Sequence, residues 1–157
     1  MPHTSDDTLL TAGLSSFRLD LVDHIAHLVL NRPDAFNTLN PRFWQELDLV
    51  LDTLQRSGQS RALVISSTGK HFCAGMALET FADPDFAPND RTPEGRAAII
   101  DTLAQLQSTF NKIEALRMPV ICAIQGACVG GGLDLVATAC IRYASAESFF
   151  CVQEINI

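Results

Sequence analysis

The sequence predicts an α/β fold whose strands are at least partly parallel. Three observations carry this: two strand-like runs near the start, two amphipathic stretches each leading to a short apolar run, and a glycine-rich turn opening a third helix. Phe17, Leu19 and Leu21 alternate with Arg18 and Asp20, Asp23-His24 interrupts, and Ile25 to Leu30 resumes, which predicts a hairpin. Asn31-Arg32-Pro33-Asp34 breaks it. Asn40 before Pro41 is a helix cap with proline at the first helical position. Phe43, Trp44, Leu47, Val50, Leu51 and Leu54 then recur at three- and four-residue steps up to Arg56, and Ser57-Gly58 stops the helix. Ala62 to Ile65 reads as a strand, and Thr80 to Thr92, with Pro84 and Pro88, as a mobile surface segment. Glu94 to Leu116 carries Ile99, Leu103, Leu106, Phe110 and Ile113 at helical spacing. After Pro119, Val120 to Ile124 is the most apolar strand, Gly126 to Gly132 a glycine-rich turn, and Gly131 to about Thr138 a small-residue helix. Ile141 to Tyr143 and Phe149 to Val152 are further short strands. Residues 1–16 read as a flexible leader and 17–157 as one core domain.

The composition bounds the function. The chain has 157 residues, 47% hydrophobic and 18% charged, enough for one packed core. Eleven Lys plus Arg against eighteen Asp plus Glu give a net charge of -7, so no nucleic-acid partner is expected. No apolar stretch approaches the roughly 20 residues that span a bilayer. The N-terminus has no basic region leading into an apolar block, and its two Asp argue against a transit peptide, so a cytoplasmic location is expected. Cys73, Cys122, Cys128, Cys140 and Cys151 lack CxxC spacing and lie mostly in apolar segments; they read as buried reduced thiols, not as a metal site. The sequence stops after Gln153-Glu154-Ile155-Asn156-Ile157 with no terminal helix, and reads as part of a longer chain.

The strongest local signal is Gly126-Ala127-Cys128-Val129-Gly130-Gly131-Gly132-Leu133-Asp134-Leu135. Glycines at a helix start admit close approach to unpaired N–H groups, a setting for negative charge. The spacing is neither a dinucleotide fingerprint nor a P-loop, and tight strand-to-helix packing explains the glycines equally well. Lys70 to Met76 is a loop, in which His71 receives no role. Asp134 and Glu154, twenty residues apart, form a carboxylate pair. Glu154 sits beside Phe149, Phe150, Val152, Ile155 and Ile157, where a carboxyl is expected to hold its proton more tightly and suit proton transfer; an outward-facing strand residue is the alternative.

Together these stretches resemble the crotonase, or enoyl-CoA hydratase/isomerase, superfamily. The resemblance rests on Leu30-Asn31-Arg32-Pro33 with Asn37 to Asn40, on His71-Phe72-Cys73-Ala74-Gly75, on Pro119 to Gly126 running into Gly130 to Leu135, and on Ile141-Arg142-Tyr143 with Phe149 to Glu154. It implies a crotonase-like fold of repeated ββα units whose C-terminal helical part is missing here. It further implies that the amides of Ala74 and Gly131 form an oxyanion hole for an acyl-CoA thioester, that Asp134 and Glu154 are catalytic, and that Ala35, Asn37, Phe72, Ala74, Met76 and Gly130 line the substrate. No metal or cofactor is implied, coenzyme A being part of the substrate; the full-length protein would be a homo-oligomer, a trimer or hexamer.

Within the superfamily, hydratases carry Glu at both acid/base positions. Asp134 followed by Glu154 looks more like the branch that shifts 3,5-dienoyl-CoA to 2,4-dienoyl-CoA, in which Glu154 exchanges the proton beside the carbonyl. A further Asp for the remote carbon would lie beyond Ile157, so the 157 residues alone are expected to be inactive. A 2-enoyl-CoA hydratase and a non-catalytic acyl-CoA-binding homologue are the alternatives. The last draws on Ala77 and Cys140, where relatives often carry Asp, and on Phe36, where a basic residue is common. The first two changes are expected to threaten stability, and exposed apolar surface is expected where the missing helices would lie.

Overall fold

The computed structural model describes residues 13–84, 86 and 90–153. Strands β1 (Phe17–Val22) and β2 (Ile25–Leu30) pair antiparallel from Phe17↔Leu30 to Val22↔Ile25. Asp23 and His24 between them have φ of 49° and 67°, the two left-handed residues of a tight hairpin whose turn follows the strand twist. Helix α1 (Pro41–Ser57) opens where the Asn40 side chain accepts the Phe43 N–H and closes at Gly58 with φ 62°. It buries Phe43, Trp44, Leu47, Val50, Leu51 and Leu54, the stripe expected from their spacing.

The remaining elements are β3 (Ala62–Ser67), α2 (Pro93–Glu114), β4 (Val120–Ile124), β5 (Ala127–Val129), α3 (Gly131–Ala137), β6 (Ile141–Ala144) and β7 (Phe149–Cys151). The main sheet has the order β1-β2-β3-β4-β6, with every pairing after the hairpin parallel, and β5 pairs with β7 in a small parallel sheet. Strand β5 corrects the expected turn over Gly126 to Gly132: three residues are too short to show a period, and its pairing partners, Cys73 and β7, are distant in sequence. The core lies between the main sheet and α1, where Leu28, Leu30, Leu63, Ile65 and Cys122 meet Leu47, Leu51 and Leu54. Each such side chain contributes roughly 1.5–3 kcal/mol by leaving water.

Helix α2 is less packed than its spacing implies. Phe110 and Ile113 are buried, the former against Trp44 with ring centroids 4.8 Å apart, but Leu103 is 53% exposed. Near this packed end Lys112 Nζ reaches Asp48 (2.7 Å) and Asp52 (3.0 Å) on α1. Residues 1–12 of the expected leader lie outside the described residues, but Ser15 and Ser16 are held in place. The Glu46 carboxylate accepts both their N–H groups and the Ser15 hydroxyl at 2.8–3.0 Å, and Ser16 is buried. This tie runs from α1 to the backbone and leaves no periodic trace. The expected mobile segment, Thr80 to Thr92, begins inside a 3-10 turn, Leu78–Ala82, with Thr80 buried, while residues 85 and 87–89 lie outside the described residues.

Cys73, Cys122 and Cys128 are buried as expected, whereas Cys140, just before β6, is exposed and Cys151, in β7, half-buried. In and beside these two strands Tyr143, Phe149, Phe150 and Val152 are all exposed. Ala77 and Cys140 stand where the resemblance expects Asp. Ala77 is buried and donates its N–H to Leu39 O, and the Cys140 sulfur accepts the Val120 N–H at 3.4 Å. Among the described residues no helix is long and apolar enough to cross a membrane.

Candidate active site

The loop after β3 lies across the start of β5. Phe72 and Cys73 donate their N–H groups to Ala127 O at 3.0 and 3.2 Å, and the Val129 N–H returns to Cys73 O at 3.0 Å. Gly75 then turns the chain with φ 90°, and the next residues pair in parallel with Leu39: Leu39 N–H donates to Gly75 O (2.8 Å) and Ala77 N–H to Leu39 O (2.9 Å). In such a ladder alternate amides face away from the partner. Met76 is the residue between, and its N–H makes no hydrogen bond to any described residue.

Gly131 supplies a second amide of this kind. It is the first residue of α3, where an N–H has no partner within the helix. A Cβ at Gly131 would stand 3.9 Å from the Met76 nitrogen and 3.1 Å from Leu39 Cδ1; one at Gly75 would stand 3.6 Å from the Gly131 nitrogen. Since a Cβ sits about 2.5 Å from its own nitrogen, the two amides are at most about 6.4 Å apart, near twice an N–H···O distance of about 2.9 Å. Glycine at 131 keeps a side chain from standing within 3.9 Å of the Met76 nitrogen.

Packing accounts for part of the glycine run. Gly132 packs: a Cβ there would fall 2.8 Å from Cys73 Cβ and 2.9 Å from Cys73 O. Gly130 takes φ 51° and ψ −125°, turning the chain from β5 into α3.

The expected oxyanion donor Ala74 is corrected. Its N–H is engaged by Phe36 O at 3.1 Å, whereas Met76, two residues on, offers the unpaired donor. Asn37 is also corrected as a substrate contact. It is 3% exposed, its Oδ1 accepts the Arg32 N–H (2.9 Å), and its Nδ2 donates to Thr68 O (2.8 Å) and His71 O (3.1 Å). Its polar atoms are used up inside the fold, holding the segment after β2 to the loop after β3. Phe72 is fully buried in the core, and the Gly130 N–H is taken by Cys151 O, so neither side chain nor amide is offered to a ligand there. Ala35 is half-buried, with its carbonyl accepting the Thr38 N–H and hydroxyl.

Asp134 is exposed in the first turn of α3, three residues after Gly131. Glu154 lies outside the described residues. His71, given no role from sequence, accepts the Ala127 N–H through Nδ1 at 3.1 Å; a lone histidine in a loop carried no signal of this. Burial raises the thiols of Cys73, Cys122 and Cys128 to about 12, so none is a nucleophile near neutral pH.

The sequence profile described as Enoyl-CoA hydratase/isomerase matches residues 21–157. The chain is 38% identical over 135 residues to a human protein named mitochondrial Delta(3,5)-Delta(2,4)-dienoyl-CoA isomerase, covering 85% of this chain and 41% of that one. It is 32% identical over 146 residues to the peroxisomal protein of that name from Arabidopsis thaliana, covering 92% and 52%. The chain thus spans about two fifths to one half of the length of these relatives. Among solved structures, an enoyl-CoA hydratase from Shewanella pealeana superposes with a TM-score of 0.82 at 28% identity, over 98% of this chain and 55% of that one.

Proposed function

For a chain that belongs to the enoyl-CoA hydratase/isomerase family, we propose double-bond migration in an unsaturated fatty acyl-CoA, from the 3,5-dienoyl to the 2,4-dienoyl thioester. The observation that carries this is the pair of unpaired amides, Met76 and Gly131, at most about 6.4 Å apart. Loss of a proton from C2 places negative charge on the thioester oxygen, and the electron pairs move so that double bonds stand at C2 and C4 once a proton is returned at C6. Two fixed N–H donors stabilise that enolate, each worth about 10²–10³ in rate. Glu154 is the proposed base at C2, a step worth about 10²–10⁴.

Asp134 occupies the other carboxylate position. Being one methylene shorter than Glu, it is less suited to hold a water against the double bond, which favours migration over hydration. The relatives named for dienoyl-CoA isomerisation support the same choice. Coenzyme A enters as part of the substrate, and the exposed apolar residues of β6 and β7 suit burial in a trimer or hexamer of the full-length protein.

Hydration of a 2-enoyl-CoA is the second reading, favoured by the superposition on a hydratase. The two separate by product. Full-length protein given 3,5-dienoyl-CoA is expected to generate a conjugated dienoyl chromophore, whereas hydration of a 2-enoyl-CoA abolishes enoyl absorbance. Dienoyl substrate left untouched overturns the isomerase reading.

A further inference from the structure

The amide pair is assembled from two segments far apart in sequence, and one buried side chain touches both. Cys73 is 0% exposed. Its sulfur accepts the Gly75 N–H at 3.4 Å. Gly75 is itself buried, so that N–H needs an acceptor, and the bond turns the chain just before Met76. On its other side Cys73 sets α3. Its backbone brackets β5 through Ala127 O and the Val129 N–H, and its β-carbon, carbonyl and sulfur all lie within 3.0 Å of where a Gly132 Cβ would be. No gap remains between Cys73 and the first turn of α3.

We propose that Cys73 is the positioning residue of the oxyanion site, fixing the separation of the Met76 and Gly131 amides by holding Gly75 with its sulfur and Gly132 by contact. The inference rests on the amide pair of the proposed function. A small acceptor at this place keeps the loop turned; an apolar group of the same size leaves the Gly75 N–H unpaired and lets Met76 rotate out of line. Misalignment of one donor removes part of its effect on a bound enolate while leaving the distant acyl-CoA contacts in place.

The test uses full-length protein and acetoacetyl-CoA, a 3-ketoacyl thioester whose enolate absorbs in the near ultraviolet and which needs neither Asp134 nor Glu154 to report on the amides. The enolate fraction of bound probe is compared in wild type, C73S, C73A and C73V, with thermal melts alongside. C73A and C73V are expected to lose the enolate band at least about tenfold while binding the probe within about threefold of wild type, and C73S to keep most of the band, a pattern that loss of packing alone does not give. If C73A loses its cooperative melt, C73V, which fills the site with one methyl more than the thiol and offers no acceptor, carries the comparison. A full band in both C73A and C73V overturns this inference alone. Absence of the band in wild type overturns the amide pair itself, and the positioning role with it.

Discussion

His71 Nδ1 accepts the N–H of Ala127 at 3.1 Å, so the imidazole of one loop holds the first residue of β5. The ring must carry its proton on Nε2 to do this. Gly126, with φ 60°, is turned so closely around this contact that a Cβ would fall 2.8 Å from Nδ1. His71→Asn, whose amide oxygen falls near the place of Nδ1, is expected to keep stability within about 1 kcal/mol. His71→Leu leaves a buried N–H unpaired and costs about 1–3 kcal/mol. Denaturant titration distinguishes them, and equal midpoints for the two variants would discard the acceptor role.

Adjacent glycines at 131 and 132 are expected to fail differently when changed to alanine. At Gly131 the new methyl meets the end of the Leu39 side chain, which can shift, and points toward the Met76 amide, so Gly131→Ala should fold yet lose about 10²–10³ in kcat. At Gly132 it meets the backbone of Cys73, so Gly132→Ala should lose about 1–3 kcal/mol of stability. Melting curves and steady-state rates on the full-length protein check both; a stable, fully active Gly131→Ala would refute the placement of the site.

Asn37→Ala removes three hydrogen bonds from a buried position and strands the Arg32 N–H and the Thr68 carbonyl, the His71 carbonyl keeping the Ser67 hydroxyl at 3.3 Å. A destabilisation of about 2–4 kcal/mol is expected, with binding of acyl-CoA by the folded fraction unchanged. Loss of binding without loss of stability would restore Asn37 as a ligand contact.

Alkaline pH should weaken the fold through its thiols. Burial raises Cys73, Cys122 and Cys128 from 9.0 to about 12, so above pH 9 the unfolded chain releases protons that the folded chain still holds. Stability from this source is complete below about pH 9 and is lost as the pH climbs toward 12, at up to about 1.4 kcal/mol per thiol at one unit above 9. Denaturation midpoints measured at pH 8 and near pH 10 should fall accordingly. Thiol labelling of the native protein should reach Cys140 and Cys151 before the other three, and prompt modification of Cys73 would contradict its burial.

Local signals carried most of the architecture. The Asp23-His24 turn, the Asn40-Pro41 cap and the stripe of α1 follow from neighbours a few residues apart, and all three stand in the structure as read. The unpaired loop amide lies two residues from the one expected, because a backbone N–H leaves no trace in sequence until its acceptor is known. What uses up Ala74 and frees Met76 is the carbonyl of Phe36 and the ladder to Leu39, both more than thirty residues upstream. The partners of Asn37 are hidden for the same reason. An asparagine in a loop that resembles a ligand segment looks available, and only the folded chain brings Thr68 and His71 to its amide.

The order of the main sheet, β1-β2-β3-β4-β6, follows the order of the chain. Each strand is added outside the previous one, and no later segment has to be inserted between two already joined. A chain emerging from the ribosome can therefore extend this sheet in one direction from the hairpin, the newest strand always forming its growing margin.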